Sequence, residues 1–253
     1  IGMLLKIAQG VFWILAVCLM PGTAYGEGRD VLPGNAAYKV EVFRGGTWEE
    51  IFVYNARVSD YAGNPEAGYT QYTMGFALFT DSFRQPLKVR VTRRAGTFSK
   101  VEIRPLSYGI VPNVQTPNSV EFELDDPAQK VSVEFDDNRM ENLFILPDLP
   151  DTAIPTGANV TYFGPGIHNM GRKEILYKDN QTIYLDEGAL VYGSIYAKGC
   201  RNLTIRGRGI LCSSKENHGD GRQPQIETFD CNGFKVEGIL LRDTPNWTLK
   251  IVG

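Results

Sequence analysis

The chain has 253 residues, 43% of them hydrophobic and 22% charged, with 27 Gly and 14 Pro, a balance that excludes disordered, collagen-like and coiled-coil proteins. Lys plus Arg number 26 and Asp plus Glu 29, giving a net charge of −3 with no long run of either sign. A nucleic-acid partner is therefore not expected.

Residues 1–26 read as a signal peptide. Lys6 stands ahead of the apolar run Val11 to Met20, and Pro21, Gly22 and the small-residue pattern Ala24-Tyr25-Gly26 follow before charged Glu27. Spanning ~30 Å of hydrocarbon takes ~20 apolar residues, and this run is about half that. No stable membrane insertion is expected after cleavage, and a secreted or periplasmic location follows. Cys18 would suit a lipid-modified leader, but Val17 occupies the preceding position, where such leaders carry a small residue. Cys200, Cys212 and Cys231 remain after cleavage, an odd set whose pairing the sequence leaves open. With no CxxC, no HExxH and His168 far from His218, neither a metal site nor a cofactor is expected.

Residues 36–147 carry short segments of period two. Tyr38 to Val42, Leu87 to Val91, Val120 to Leu124 and Val131 to Phe135 alternate apolar and polar residues, and Trp48 to Val53 and Tyr72 to Thr80 are also β-rich. Arg44-Gly45-Gly46, Ala95-Gly96 and Asp125-Asp126-Pro127 supply turns. Seven or eight strands in about a hundred residues predict an antiparallel, immunoglobulin-like β-sandwich with one wet face per strand. The Asp125-Asp126 and Asp136-Asp137 pairs read as hairpin turns, and Arg93-Arg94 as an exposed strand end. Pro147, Pro150 and Pro155 bracket a linker over 148–158, since each removes a backbone donor and extends its predecessor.

Residues 159–253 change pattern to repeated strand, turn and strand units. Aligning Cys200 with Cys231 places Leu203 to Gly207 on Phe234 to Gly238, and Ile183-Tyr184-Leu185 matches Leu203-Thr204-Ile205 twenty residues on. The spacing predicts a parallel β-helix whose coils stack ~4.8 Å apart, with inward Ile, Leu and Val and with amide ladders at the turns. Four N-x-T triplets, at Asn159, Asn180, Asn202 and Asn246, then read as turn Asn followed by strand Thr. Gly164-Pro165-Gly166 and Gly207-Arg208-Gly209 read as turns, because no amphipathic helix follows to cradle a phosphate.

Tyr162-Phe163-Gly164-Pro165-Gly166-Ile167-His168, then Gln181 to Ile195 (QTIYLDEGALVYGSI), Asn202 to Leu211 (NLTIRGRGIL), and Phe234 to Thr248 with its Asp243-Thr244-Pro245-Asn246-Trp247-Thr248 turn, come in a fixed order. Together they resemble the opening coils of the polygalacturonase family of glycoside hydrolases. A sandwich placed ahead of such a helix is also similar to the dextranase and isopullulanase family. The resemblance implies a right-handed β-helix and inverting hydrolysis of an acidic polysaccharide such as pectin, with two carboxyl groups ~6.5–9.5 Å apart around a water. This sequence departs from the polygalacturonase pattern at Cys212, where an Asp is common, and at Thr244, where a Ser is common.

The family's Asn-Thr-Asp, Gly-His-Gly and Arg-x-Lys motifs are absent between Asn159 and Gly253, so no catalytic residue is assigned. The expectation is an inactive amino-terminal piece of an enzyme, with three or four coils and the sandwich capping the first. Weak substrate-binding candidates are His218, Asp220 and Arg222, in an insertion between coils, and Trp247, which could stack on a sugar ring. A solvated loop and a core-covering tryptophan are their plainer readings, and His168 reads as structural. A lyase-like β-helix and a non-catalytic carbohydrate-binding or adhesin β-helix remain rivals, since scaffold alone does not fix function.

Overall fold

The computed structural model of the protein describes residues 34–60, 70–216 and 221–253. The segment read as a signal peptide lies outside them, as do Cys18, His218 and Asp220.

Ten strands come first: β1 (Tyr38–Arg44), β2 (Thr47–Ile51), β3 (Val53–Asp60), β4 (Thr70–Thr80), β5 (Leu87–Arg93), β6 (Val101–Arg104), β7 (Asn113–Thr116), β8 (Ser119–Leu124), β9 (Val131–Phe135) and β10 (Leu143–Asp148). They make two five-stranded sheets, ordered β2-β1-β5-β8-β7 and β3-β4-β10-β9-β6. Period-two patterning does the sorting, because Tyr38, Val40 and Val42 of β1 point inward and pack with Val89, Val91 and Phe122. The sandwich is not wholly antiparallel, since β10 runs parallel to β4. Between those two strands the chain has crossed into the other sheet and back, so no hairpin ties their directions.

The second sheet also departs from the one-wet-face expectation. Val53 and Ala77 face the sandwich core, while Tyr54 and Phe76, 7% and 3% exposed, are buried on the opposite face. There they meet Leu190, Tyr192, Ile210 and Cys212 in a separate apolar cluster that also takes in Phe144 and Leu146 of β10. Burying one such large side chain contributes about 1.5–3 kcal/mol.

Ten further strands build the coils: β11 (Val160–Phe163), β12 (Gly166–Leu176), β13 (Thr182–Leu185), β14 (Ala189–Lys198), β15 (Thr204–Gly207), β16 (Ile210–Cys212), β17 (Ile226–Phe229), β18 (Lys235–Glu237), β19 (Leu240–Arg242) and β20 (Leu249–Val252). Strands β11-β13-β15-β18 form one parallel sheet. In the other, β12 pairs with β14, which carries both β16 and β17, and these pair in turn with β19 and β20. The chain thus winds through four parallel coils, with Ile183 stacked on Ile205 and Val236 inside. Ile183 pairs with Ile205, not with the residue twenty positions on that the sequence alignment offered. The slip is two residues, which preserves side-chain parity and so hides from a pattern of period two.

The sandwich does not cap the first coil. Its β3-β4-β10 face lies along the flank of the helix, touching Ile167, Leu190, Ile210 and Leu240 from all four coils in turn. The flank is apolar because Leu190, Tyr192, Ile210 and Cys212 stand on these strands where a solvated coil would carry polar residues. The 149–159 connection is pinned to the same side. Asp151 accepts from the Tyr184 hydroxyl at 2.8 Å and from Arg206 at 3.3 Å, and Arg208 reaches its other oxygen at 3.2 Å.

Turn amides ladder as expected. Asn180 and Asn202 both have left-handed backbone, φ 55° and 53°, and Asn202 Nδ2 donates to Asn180 Oδ1 at 2.9 Å. At the far end Leu249 and Ile251, 41% and 64% exposed, stack on the fully buried Ile226 and Thr228.

Candidate functional site

The long strands β12 and β14 bend where their register shifts, between Asn169 and Gly171. Opposite stands Gly193 at φ 151°, where a Cβ would lie 2.2 Å from the Gly171 carbonyl oxygen, so only glycine lets the coils close at this bend. Before the bend the outward residues Leu190 and Tyr192 belong to the sandwich contact. After it the outward residues leave that contact and form a separate face.

Lateral pairing aligns Glu174, Tyr196, Glu227 and Lys250 in one file across the four coils. The Arg172 guanidinium lies 5.1 Å from the centre of the Tyr196 ring and 3.4 Å from Glu227. Lys250 Nζ is 2.7 Å from the other Glu227 oxygen. In the next file Lys198 sits 5.3 Å over the ring of Phe229, itself 37% exposed. Aromatic rings overlaid by cations, on a rigid parallel sheet, make a surface suited to sugar rings bearing negative charge.

This face does not form an inverting acid pair. Glu174 and Glu227 are two coils apart, about 10 Å at ~4.8 Å per coil, but Tyr196 stands between them where the water would sit. Glu227 is already held between Arg172 and Lys250.

Two of the sequence candidates meet at the border of this face. Trp247 is 65% exposed, so the core-covering reading does not hold for it. Asn246 Nδ2 donates to the Arg222 carbonyl at 3.4 Å and the Gln225 amide to the Trp247 carbonyl at 2.9 Å, which joins the insertion's exit to the Trp247 turn. Arg222 is exposed, with no ion pair among the described residues. His218 and Asp220 fall outside the described residues. His168 is structural, its Nε2 2.7 Å from the Gly164 carbonyl oxygen and its ring edge-on to Phe163.

Sequence reasoning missed what holds this corner. Gln225 is fully buried and donates Nε2 to the carbonyls of Leu211 at 2.8 Å and Arg242 at 3.1 Å, anchoring the insertion across two coils. Arg242 and Asp243 form a buried ion pair at 3.0 Å, with 8% and 5% of their side chains exposed. A glutamine in a polar loop and an Arg-Asp step after a strand give no periodic signal, so neither could be told from a solvated residue. Cys212, the departure from the polygalacturonase pattern, is completely buried under the sandwich, and burial pushes its thiol pKa up. An aspartate there would lose its water and would share the buried Arg242, its register neighbour, with Asp243.

Among the described residues no group of His, Cys, Asp or Glu is arranged to hold a metal, and no helix is long and apolar enough to cross a membrane. No protein-family model matches the chain, and no curated protein matches it. Among solved structures, Dex49A from Penicillium minioluteum is similar, with a TM-score of 0.64, 19% identity, and coverage of 88% of this chain and 56% of that one. The chain therefore spans little more than half of Dex49A's length, and what the two share is the all-β fold: a β-sandwich followed by a parallel β-helix.

Proposed function

We propose that the protein is a secreted or periplasmic polysaccharide-degrading glycoside hydrolase of the β-helix kind, acting on an acidic, pectin-like polymer with inversion. The observation that carries this reading is the outward file Glu174–Tyr196–Glu227–Lys250 with Arg172 across it. Lys198, together with the Arg172 and Lys250 cations that share the single Glu227 carboxylate, supplies positive charge for uronate carboxylates, and Tyr196, Phe229 and exposed Trp247 supply ring faces. With Tyr196 between its two carboxylates, this face holds the polymer without cutting it, and the present chain is expected to bind without turnover.

A dextranase-like action on neutral glucan is the second reading, favoured by the fold shared with Dex49A. The two separate in one experiment. The full chain is run through gels containing polygalacturonate or dextran, with reducing ends measured in parallel. Retardation by polygalacturonate that is lost in Arg172→Ala supports the acidic polymer. Retardation by dextran alone, or release of reducing ends by this chain, overturns the corresponding part of the proposal.

A further inference from the structure

The first three coils each end in the same four-residue corner. Tyr177 and Asn180, Gly199 and Asn202, and Asp230 and Gly233 open and close three successive corners, all with left-handed φ between 49° and 71°. The second and third corners are locked together. Gly199 donates its amide to Phe229 O at 2.9 Å, Asn202 to Asn232 O at 2.8 Å and Asn232 to Cys200 O at 2.8 Å, and Arg201 and Asn232 form a parallel bridge. The second residue of these two corners is Cys200 in one and Cys231 in the other.

Their backbones are in register one coil apart, about 4.8 Å, inside the span of roughly 4.4–6.8 Å between Cα atoms that a disulfide accepts. Cys231 Sγ receives the Cys200 amide at 3.4 Å, while the Cys200 thiol donates to the carbonyls of Ile175 at 3.2 Å and Lys198 at 3.3 Å. The three cysteines among the described residues are thiols in this structure. Cys200 is buried at 1% exposure, whereas Cys231 is half-buried and can be reached from outside. Cys212 lies at the sandwich contact, fully buried, with its sulfur 3.2 Å from the Ser214 hydroxyl. Among the described residues it has no sulfur partner, and its burial keeps oxidants away.

We propose that Cys200 and Cys231 are a modification site: a disulfide that closes the third coil, with its insertion and the Arg222 corner, into a ring, while Cys212 stays a thiol. The oxidant is a disulfide, either oxidised glutathione or a thiol–disulfide oxidase. The Cys231 thiolate attacks one sulfur of that disulfide and expels the other as a thiolate, leaving a mixed disulfide on Cys231. Cys200 then gives up its proton and attacks Cys231 Sγ, displacing the second thiolate. Two protein thiols lose two protons and two electrons, and the oxidant is reduced to two thiols.

The test holds the full chain in oxidised glutathione, denatures it, alkylates the remaining thiols and maps the unreduced digest by mass spectrometry. The expected result is a peptide pair joined through Cys200 and Cys231, lighter by two hydrogens than its parts, with Cys212 alkylated. Cys200→Ser should stop the reaction with glutathione on Cys231. In thermal melts the oxidised protein should unfold several degrees above the reduced one, with that difference absent in Cys231→Ser. Alkylation of both residues, a cross-link to Cys212, or persistent glutathione on Cys231 in the unsubstituted protein would overturn the proposal.

Discussion

Glu187, in the turn of the second coil, receives both the backbone amide of Thr80 at 3.1 Å and its hydroxyl at 2.8 Å, so one carboxylate grips the end of β4 from the helix side. Hydrogen bonds to a charged acceptor contribute more than neutral ones, and a partner left unsatisfied costs about 1–3 kcal/mol. Glu187→Ala should therefore lower the unfolding free energy by that order, and Glu187→Gln by less. Denaturant melts of the two variants, showing equal midpoints to the parent, would contradict this.

Trp247 is the test of the sugar-binding border. Its ring is mostly exposed, so Trp247→Ala should leave thermal stability within about 0.5 kcal/mol of the parent. Affinity for the polymer should drop roughly tenfold, about 1.4 kcal/mol. Affinity gels together with a melt give both readings. A large fall in stability would return the tryptophan to a structural role.

Gly207 closes the sheet of β11, β13, β15 and β18 on its neighbour. At φ 138° a Cβ there would stand 1.8 Å from the Leu185 carbonyl oxygen, an atom of rigid backbone. Gly207→Ala should cost at least about 2–3 kcal/mol, through strain and clash together, and should reduce soluble yield. Gly45→Ala serves as the control, since its φ of 55° carries strain but nothing lies within 4 Å.

Alkaline unfolding should report the sandwich contact. Burial pushes the Tyr192 hydroxyl up to about 12, and burial followed by the hydrogen bond to Asp151 pushes Tyr184 up as well. A tyrosine whose folded value lies above its unfolded one contributes stability below about pH 10 that is lost as pH climbs through the folded value. Melting temperature should therefore fall steeply between about pH 10 and 12. Tyr192→Phe should flatten that slope, which phenolate absorbance titration can follow in parallel.

The fold class was legible because period-two alternation and stacked turn asparagines are local signals. Val40 and Val42 announce their face by spacing alone, and Asn180 and Asn202 announce theirs by position before a strand. The flank contact was not legible, because Tyr54 beside Val53 reads as a partly wet aromatic until Leu190 is known to lie opposite. The site was legible only at Trp247 and Arg222. Tyr196 and Glu227 acquire meaning through lateral neighbours one coil away, and Gln225 through carbonyls on two different strands. Partners at variable separation leave no periodic trace in the chain.

A sheet apolar on both sides has a consequence for how this molecule can be taken apart. Residues 36–147 look self-sufficient as a cloning unit, yet separation from the helix would uncover Phe76, Tyr54, Phe144 and Leu146 together on one broad sheet face. Such a face invites association. Expressed alone, the sandwich should bind hydrophobic dyes and self-associate, and light scattering can follow this. The two halves are better treated as a single folding partnership, in which the helix serves as the sandwich's resident chaperone.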